Sequence, residues 1–180
     1  NLAAEKDVKV SAKNFAAFAE GRIRGEAKSL GGSYTVSFWF RNDLANKARP
    51  VTAYLFSRGP NANTRAPGDH LGIGGTSTQT SGALFLFNGN VAKGFVGGTT
   101  VIAPGTWNYV VLIRSGNRAT AFLNGQPKPE FDGKIKPTAT DSREFYLGAR
   151  NDRFASLTGH IAQFALFNRA VTASEAAQLH

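Results

Sequence analysis

The chain has no cysteine and no methionine among its 180 residues. Without a thiol there can be no disulfide, thiolate zinc site, iron–sulfur cluster or cysteine nucleophile. No stretch approaches the roughly 20 consecutive apolar residues that cross a bilayer as a helix. Residues 1–10 carry charges of both signs and no apolar run, so they do not form a signal peptide. With no initiator methionine either, the sequence reads as a piece of a longer protein, with any secretion signal upstream. Acidic residues are scarce: 12 Asp and Glu stand against 21 Lys and Arg, for a formal charge of +9. A field of that sign favours acidic polysaccharide, nucleic acid or an acidic membrane surface. Yet the densest basic clusters are only Arg22-Ile23-Arg24 and Lys134-Ile135-Lys136, and no run resembles a nucleic-acid arm. Dispersed charge of this kind also serves solubility.

What is present suits a packed interior. Apolar residues make up 42%, and the 20 glycines and 14 phenylalanines indicate many turns around an aromatic-rich core. Residues 33–41, SYTVSFWFR, alternate clearly: Tyr34, Val36, Phe38 and Phe40 share one face, and Thr35, Ser37 and Trp39 the other. Further strands are predicted at 51–57, 71–74, 83–88, 107–114, 118–124, 145–149 and 160–168. Ser115-Gly116-Asn117 joins two of them, and Asn88-Gly89 and Asn124-Gly125 are further turn signals, because Gly and Asn tolerate the positive φ of tight hairpins. Residues 13–20, KNFAAFAE, suit a helical turn or an irregular strand equally. Only the C-terminus predicts a helix, where Thr172-Ala173-Ser174-Glu175 forms a capping box. Many short strands between Gly, Pro and Asn turns, with no linker and no internal repeat, predict an all-β sandwich or barrel. The longest polar excursion is 61–75, the sort of loop on which rigid β scaffolds carry function.

The ordered landmarks SYTVSFWFRN, YLFSRG, GDHLGIGG, LFLFNGN, GTWNYVVLIRSGNRATAFLNG, FYLGARND and GHIAQFALFNRAVTASEAAQL resemble a concanavalin A-like, laminin G-like jelly-roll domain of the bacterial type. The resemblance covers about residues 10–180, and specifies fold more than function. It implies a two-sheet antiparallel jelly-roll sandwich with a short C-terminal helix, residues 1–180 forming one domain of a larger extracellular, cell-surface or periplasmic protein. It further implies a carbohydrate or protein ligand, and a calcium ion at the sandwich rim as the one candidate cofactor. Related domains read G-x-I-D-E where this chain has Gly159-His160-Ile161-Ala162-Gln163, so a metal on that strand is disfavoured.

Catalytic chemistry finds little support. Glycosidases need two carboxylates at a fixed separation. The nearest match, Glu130-Phe131-Asp132, sits between Pro129 and Gly133 and reads as a loop or edge. The three histidines, His70, His160 and His180, accompany no G-x-S-x-G nucleophile elbow. The glycines at 72, 74 and 75 precede no GK[ST] helix, so no phosphate loop is read there. A non-catalytic binding module is therefore expected. The alternatives are a structural or protein-interaction domain without a small-ligand site and, last, a glycosidase or lyase. Candidate calcium ligands are Asp69, Asp43 and Asp152, although Asp69 could equally cap its turn or pair with Arg58 or His70. Candidate ligand-binding residues are Trp39, on the face opposite Phe38 and Phe40, and two loop clusters. The clusters are Arg58, Asn63, Arg65, Asp69 and His70, and Arg150, Asn151 and Arg153; the arginine forks would suit an acidic sugar. Trp39 also reads as filler of a second apolar layer, and Trp107 as core. If the two loop clusters share a rim, they form a polar binding edge.

Overall fold

Alternation does build the strand β5 (Ser33–Asn42), whose Tyr34, Val36, Phe38 and Phe40 are all fully buried. The computed structural model describes residues 2–11, 15–63, 68–77, 79–89, 93–136 and 142–180. Its strands form two antiparallel sheets of seven. The first runs, in order across the sheet, β1 (Leu2–Glu5), β4 (Arg22–Glu26), β13 (Glu144–Leu147), β6 (Val51–Arg58), β7 (Asp69–Gly74), β8 (Leu84–Phe87) and β9 (Phe95–Gly97). The second runs β12 (Phe131–Lys134), β11 (Arg118–Leu123), β10 (Trp107–Ser115), β5, β14 (Thr158–Phe167), β3 (Phe15–Ala19) and β2 (Val8–Val10). Between the sheets lies one apolar cluster, in which Phe38, Phe40, Phe56, Leu71, Ile73, Leu84, Leu112 and Tyr146's neighbour Leu147 are essentially inaccessible. Each such side chain contributes about 1.5–3 kcal/mol by leaving water. This is the jelly-roll sandwich expected of the sequence.

Within the segment 13–20, Phe15–Ala19 form a strand, β3, which hydrogen-bonds between β14 and β2; Lys13 and Asn14 lie outside the described residues. The late strand β14 departs from simple alternation. Its register against β5 shifts between Ala162 and Ala165, with Gln163 at φ 51°. This bulge lets Ile161 and Phe164, three residues apart, both meet the core, where period two would have separated them. Trp107 is not core: it pairs with Arg41 on the outer face and is 42% exposed, with its ring 6.0 Å from His160.

One polar cluster is sealed inside. The Asp69 carboxylate accepts hydrogen bonds from Tyr34 Oη (2.7 Å), Arg114 Nε (3.0 Å) and Asn88 Nδ2 (2.9 Å). Arg114 also donates to the carbonyls of Arg118 (2.9 Å) and Lys136 (3.0 Å). Arg58, its guanidinium 5.2 Å from the centre of the Tyr34 ring, donates to the carbonyls of Leu30, Gly31 and Ser142. Two buried arginines thus clamp the loops at one end of the sandwich.

The helix α1 (Ala173–Gln178) starts at the expected capping box: Glu175 N–H donates to Thr172 Oγ1 and Thr172 N–H donates to the Glu175 carboxylate. Val171 and Ala176 pack on Tyr109, Val111, Ile113 and Phe122, so the C-terminus covers part of the outer face of the second sheet. No helix among the described residues is long and apolar enough to cross a membrane.

Candidate functional site

The outer face of the first sheet is aromatic too, with Tyr54 and Phe85 buried and Phe87 and Phe95 half-buried. Sheet faces that meet water ordinarily carry polar side chains, so a partly exposed aromatic face is the informative anomaly. Tyr54 on β6, Phe85 and Phe87 on β8, and Phe95 on β9 point outward, while their neighbours Leu71, Ile73, Leu84 and Leu86 point into the core. Phe85 and Phe95 stack at 5.3 Å and 15°, and Tyr54 meets Phe85 edge-on at 5.7 Å. On the strand between them, Gly72 leaves the space the rings need. A Cβ there would lie 2.7 Å from the Ala53 carbonyl oxygen and 2.9 Å from the Phe85 ring.

The loop following β13 completes the surface. The ladder between β6 and β7 is irregular between Tyr54 and Phe56, and the Tyr54 N–H donates instead to the Ala155 carbonyl (2.9 Å). That bond lays the loop across the sheet. Arg153 (φ 70°) and Ala155 (φ 50°) both adopt the left-handed conformation, which costs side-chain-bearing residues of order 1–3 kcal/mol each. Between them Phe154 is held 44% exposed. Such strain persists only where surrounding contacts impose it, and it concentrates at binding sites. Arg150 lies over both Tyr54 (5.6 Å) and Phe154 (4.7 Å). Asp152 grips Arg150 with both oxygens (2.8 and 2.6 Å) and also accepts the Phe154 N–H (3.1 Å). Burial would raise the Asp152 carboxyl, but the bonds from Arg150 and the Phe154 amide hold it below the usual range. The result is an open depression of about 370 Å³, lined by Val51, Tyr54, Ser77, Gln79, Phe85, Phe87, Phe95, Arg150 and Phe154. Its size falls within the roughly 300–1,000 Å³ of small-ligand sites.

The sequence-based candidates divide around this surface. Arg150 lies in it. Asn151 is buried beside it as a staple: its backbone N–H donates to Ser57 Oγ (3.0 Å), and its amide donates to the carbonyls of Pro60 (2.7 Å) and Asn63 (3.0 Å). The loops at 59–63 and 148–157 therefore do share an edge. Asn63 is exposed there, and Arg153 points outward to Glu5 (3.0 Å). His70 faces outward from β7 but is buried against Tyr54 and Phe87 (6.1 and 6.2 Å), with Nδ1 2.7 Å from Ser57 Oγ. Burial pulls its pKa down to about 4. Arg65 lies outside the described residues.

Three expectations need correction. Arg58 and Asp69 are not rim residues, because both point into the core and are consumed by the cluster described above. Trp39 does not face a ligand: it packs on Tyr109 (5.2 Å) and under His180 (5.4 Å), within the layer covered by the C-terminus. The three candidate calcium ligands do not converge. Asp69 faces Arg114, Asp43 grips Arg41 (2.8 and 3.1 Å), and Asp152 grips Arg150, so each carboxylate already neutralises an arginine and the set does not fit calcium. No group of three His, Asp or Glu suited to a metal occurs among the described residues. The acids of the Glu130-Phe131-Asp132 run are likewise committed. Glu130 accepts the Thr99 and Thr100 amides (2.7 and 2.8 Å), and Asp132 accepts Arg118 (2.7 and 2.5 Å) and Thr120 (2.9 Å).

The family model described as concanavalin A-like lectin/glucanases superfamily, of laminin G type, matches residues 19–177. No curated protein sequence matches the chain. Among solved structures it is similar to domain 4 of AbnA, an extracellular arabinanase from Geobacillus stearothermophilus in complex with arabinotriose, at 18% identity and a TM-score of 0.70, covering 99% of this chain and 81% of that one. It is also similar to botulinum neurotoxin type C, whose cell entry depends on two ganglioside molecules (14%, TM-score 0.69, 99% of this chain and 45% of that one). Domains LG4-5 of the mouse laminin alpha1 chain match at 11% and a TM-score of 0.60, over 85% of this chain and 40% of that one. The chain thus spans less than half of the last two. At these identities the likeness establishes the fold alone.

Proposed function

The chain belongs to the concanavalin A-like lectin/glucanases superfamily, and from that premise we propose that it is a non-catalytic carbohydrate-binding module of a larger secreted or surface protein. One observation carries this reading: a partly open aromatic surface on the first sheet, where Phe87 and Phe95 are half-buried beside the buried Tyr54 and Phe85, with the exposed ring of Phe154 held at its edge by strained backbone. Sugar rings present an apolar C–H face and a girdle of hydroxyls. Flat aromatic faces suit the former, and Ser77, Gln79 and Arg150 suit the latter. The pairing of Glu130 and Asp132 with backbone amides, Arg118 and Thr120 supports a non-catalytic role. The extracellular and ganglioside-dependent contexts of the similar structures support the placement in a secreted or surface protein.

Affinity electrophoresis and titration calorimetry against a panel of neutral and acidic polysaccharides test the proposal. Retention by at least one polysaccharide is expected, and Phe154→Ala should weaken it roughly tenfold through loss of one stacking ring. No retention by any polysaccharide would move the aromatic face to the alternative reading, a protein-interaction surface.

A further inference from the structure

The charge of the whole chain and the charge of the site disagree. The protein carries +9. Among the described residues lining the depression, Arg150 alone is charged, and its guanidinium fork is filled by Asp152. The nearest titratable group beneath the floor, His70, is held uncharged at neutral pH by burial. The lysines of the described residues are all exposed, and none lines the depression. A floor of Tyr54, Phe85, Phe87, Phe95 and Phe154 with one internally neutralised ion pair offers stacking and hydrogen bonds, but no uncommitted charge.

We propose, resting on the carbohydrate-binding reading, that this depression selects neutral glycans, and that Asp152 is the residue that excludes acidic ones. Asp152 does not itself line the depression, but it occupies the one guanidinium that does. To reach the Arg150 fork a sugar carboxylate or sulfate would have to displace a bidentate partner already in place. A neutral sugar has no such conflict: it can stack on the rings and hydrogen-bond to the lining side chains while the Arg150–Asp152 pair stays intact. Asp152 has a second duty in the same geometry, because its Oδ1 also accepts the Phe154 amide and so fixes the stacking ring. Charge selection and ring placement therefore meet in one side chain.

Asp152→Asn separates the two. An asparagine oxygen can still accept the Phe154 amide, but it no longer neutralises Arg150. Wild type, Asp152→Asn, Arg150→Gln and Phe154→Ala are titrated with arabinan, a neutral β-glucan and polygalacturonate at low and moderate salt. The wild type is expected to bind a neutral polymer with little salt dependence. Asp152→Asn should gain roughly tenfold in affinity for polygalacturonate at low salt, the scale of one new hydrogen bond to a charged group, and lose that gain as salt rises. Arg150→Gln should show no such gain, and this holds as the check should Asp152→Asn fold poorly. Wild-type binding of polygalacturonate that is salt-sensitive and lost in Phe154→Ala would overturn the neutral selection while leaving the carbohydrate reading standing. Retention of none of the three polymers would overturn both.

Discussion

Replacing Asp69 with asparagine should cost the fold about 3–5 kcal/mol, the usual price of breaking a fully buried ion pair from one side. Asp69 and Arg114 are both 0% exposed, and three donors converge on the carboxylate: Tyr34 Oη, Arg114 Nε and Asn88 Nδ2. Asparagine keeps the shape but offers a single acceptor oxygen, and its NH₂ group must face one of those donors. It also removes the negative charge that faces the buried Arg114 guanidinium, which the carbonyls of Arg118 and Lys136 cannot replace. Against a typical total of about 5–15 kcal/mol the loss is large, and for a domain of this size it corresponds to a fall in Tm of about 10 °C. Urea unfolding followed by circular dichroism, with thermal scans in parallel, reads it directly. A loss under about 1 kcal/mol would refute the reasoning. So would a wild-type Tm that rises with added calcium while the variant's does not, because Asp69 would then be a rim ligand rather than a core anchor.

Other variants test other parts of the structure. Gly72→Ala should displace the Phe85 ring, because the new Cβ would lie 2.9 Å from it, and should weaken glycan binding in calorimetry more than the exposed Gly32→Ala control. Stability should fall with acid through His70: its folded pKa of about 4 lies below the ~6.5 of the unfolded chain, so unfolding takes up a proton between those values. The stabilisation is complete above about pH 6.5 and is lost by about 3 kcal/mol toward pH 4; His70→Gln should flatten that slope in urea titrations. Thr172→Ala removes the capping box of α1 and should cost about 1 kcal/mol, with altered fluorescence from Trp39 beneath the C-terminus.

The fold was largely legible because burial enforces alternation. The faces of β5 follow its sequence, and the Thr172 box forms as written. What escaped were short strands such as β2 and β9, three residues each, which hold their place by pairing rather than by pattern. The bulge in β14 escaped for a related reason, since Gln163 carries no local signal for a left-handed conformation. The site was legible only at Arg150 and in the meeting of the two loops through Asn151. Polarity misled at Arg58 and Asp69, because a charged pair can be buried when its partners lie on distant strands that one sequence does not connect. The overlooked aromatics did leave a trace. Residues 84–87, LFLF, are apolar on both faces, and in an antiparallel edge region that pattern asks what covers the second face. Tyr54 could not have been assigned outward, since the irregularity after it resets the phase of β6.

Amide chemical-shift mapping during titration with a neutral oligosaccharide addresses the aromatic face most directly. Shifts should concentrate at Tyr54, Gly72, Phe85, Phe87, Phe95 and residues 150–155, while Trp39 and Trp107, on the opposite sheet, stay silent. Shifts centred on those tryptophans, or on the loops clamped by Arg58 and Arg114, would contradict the assignment.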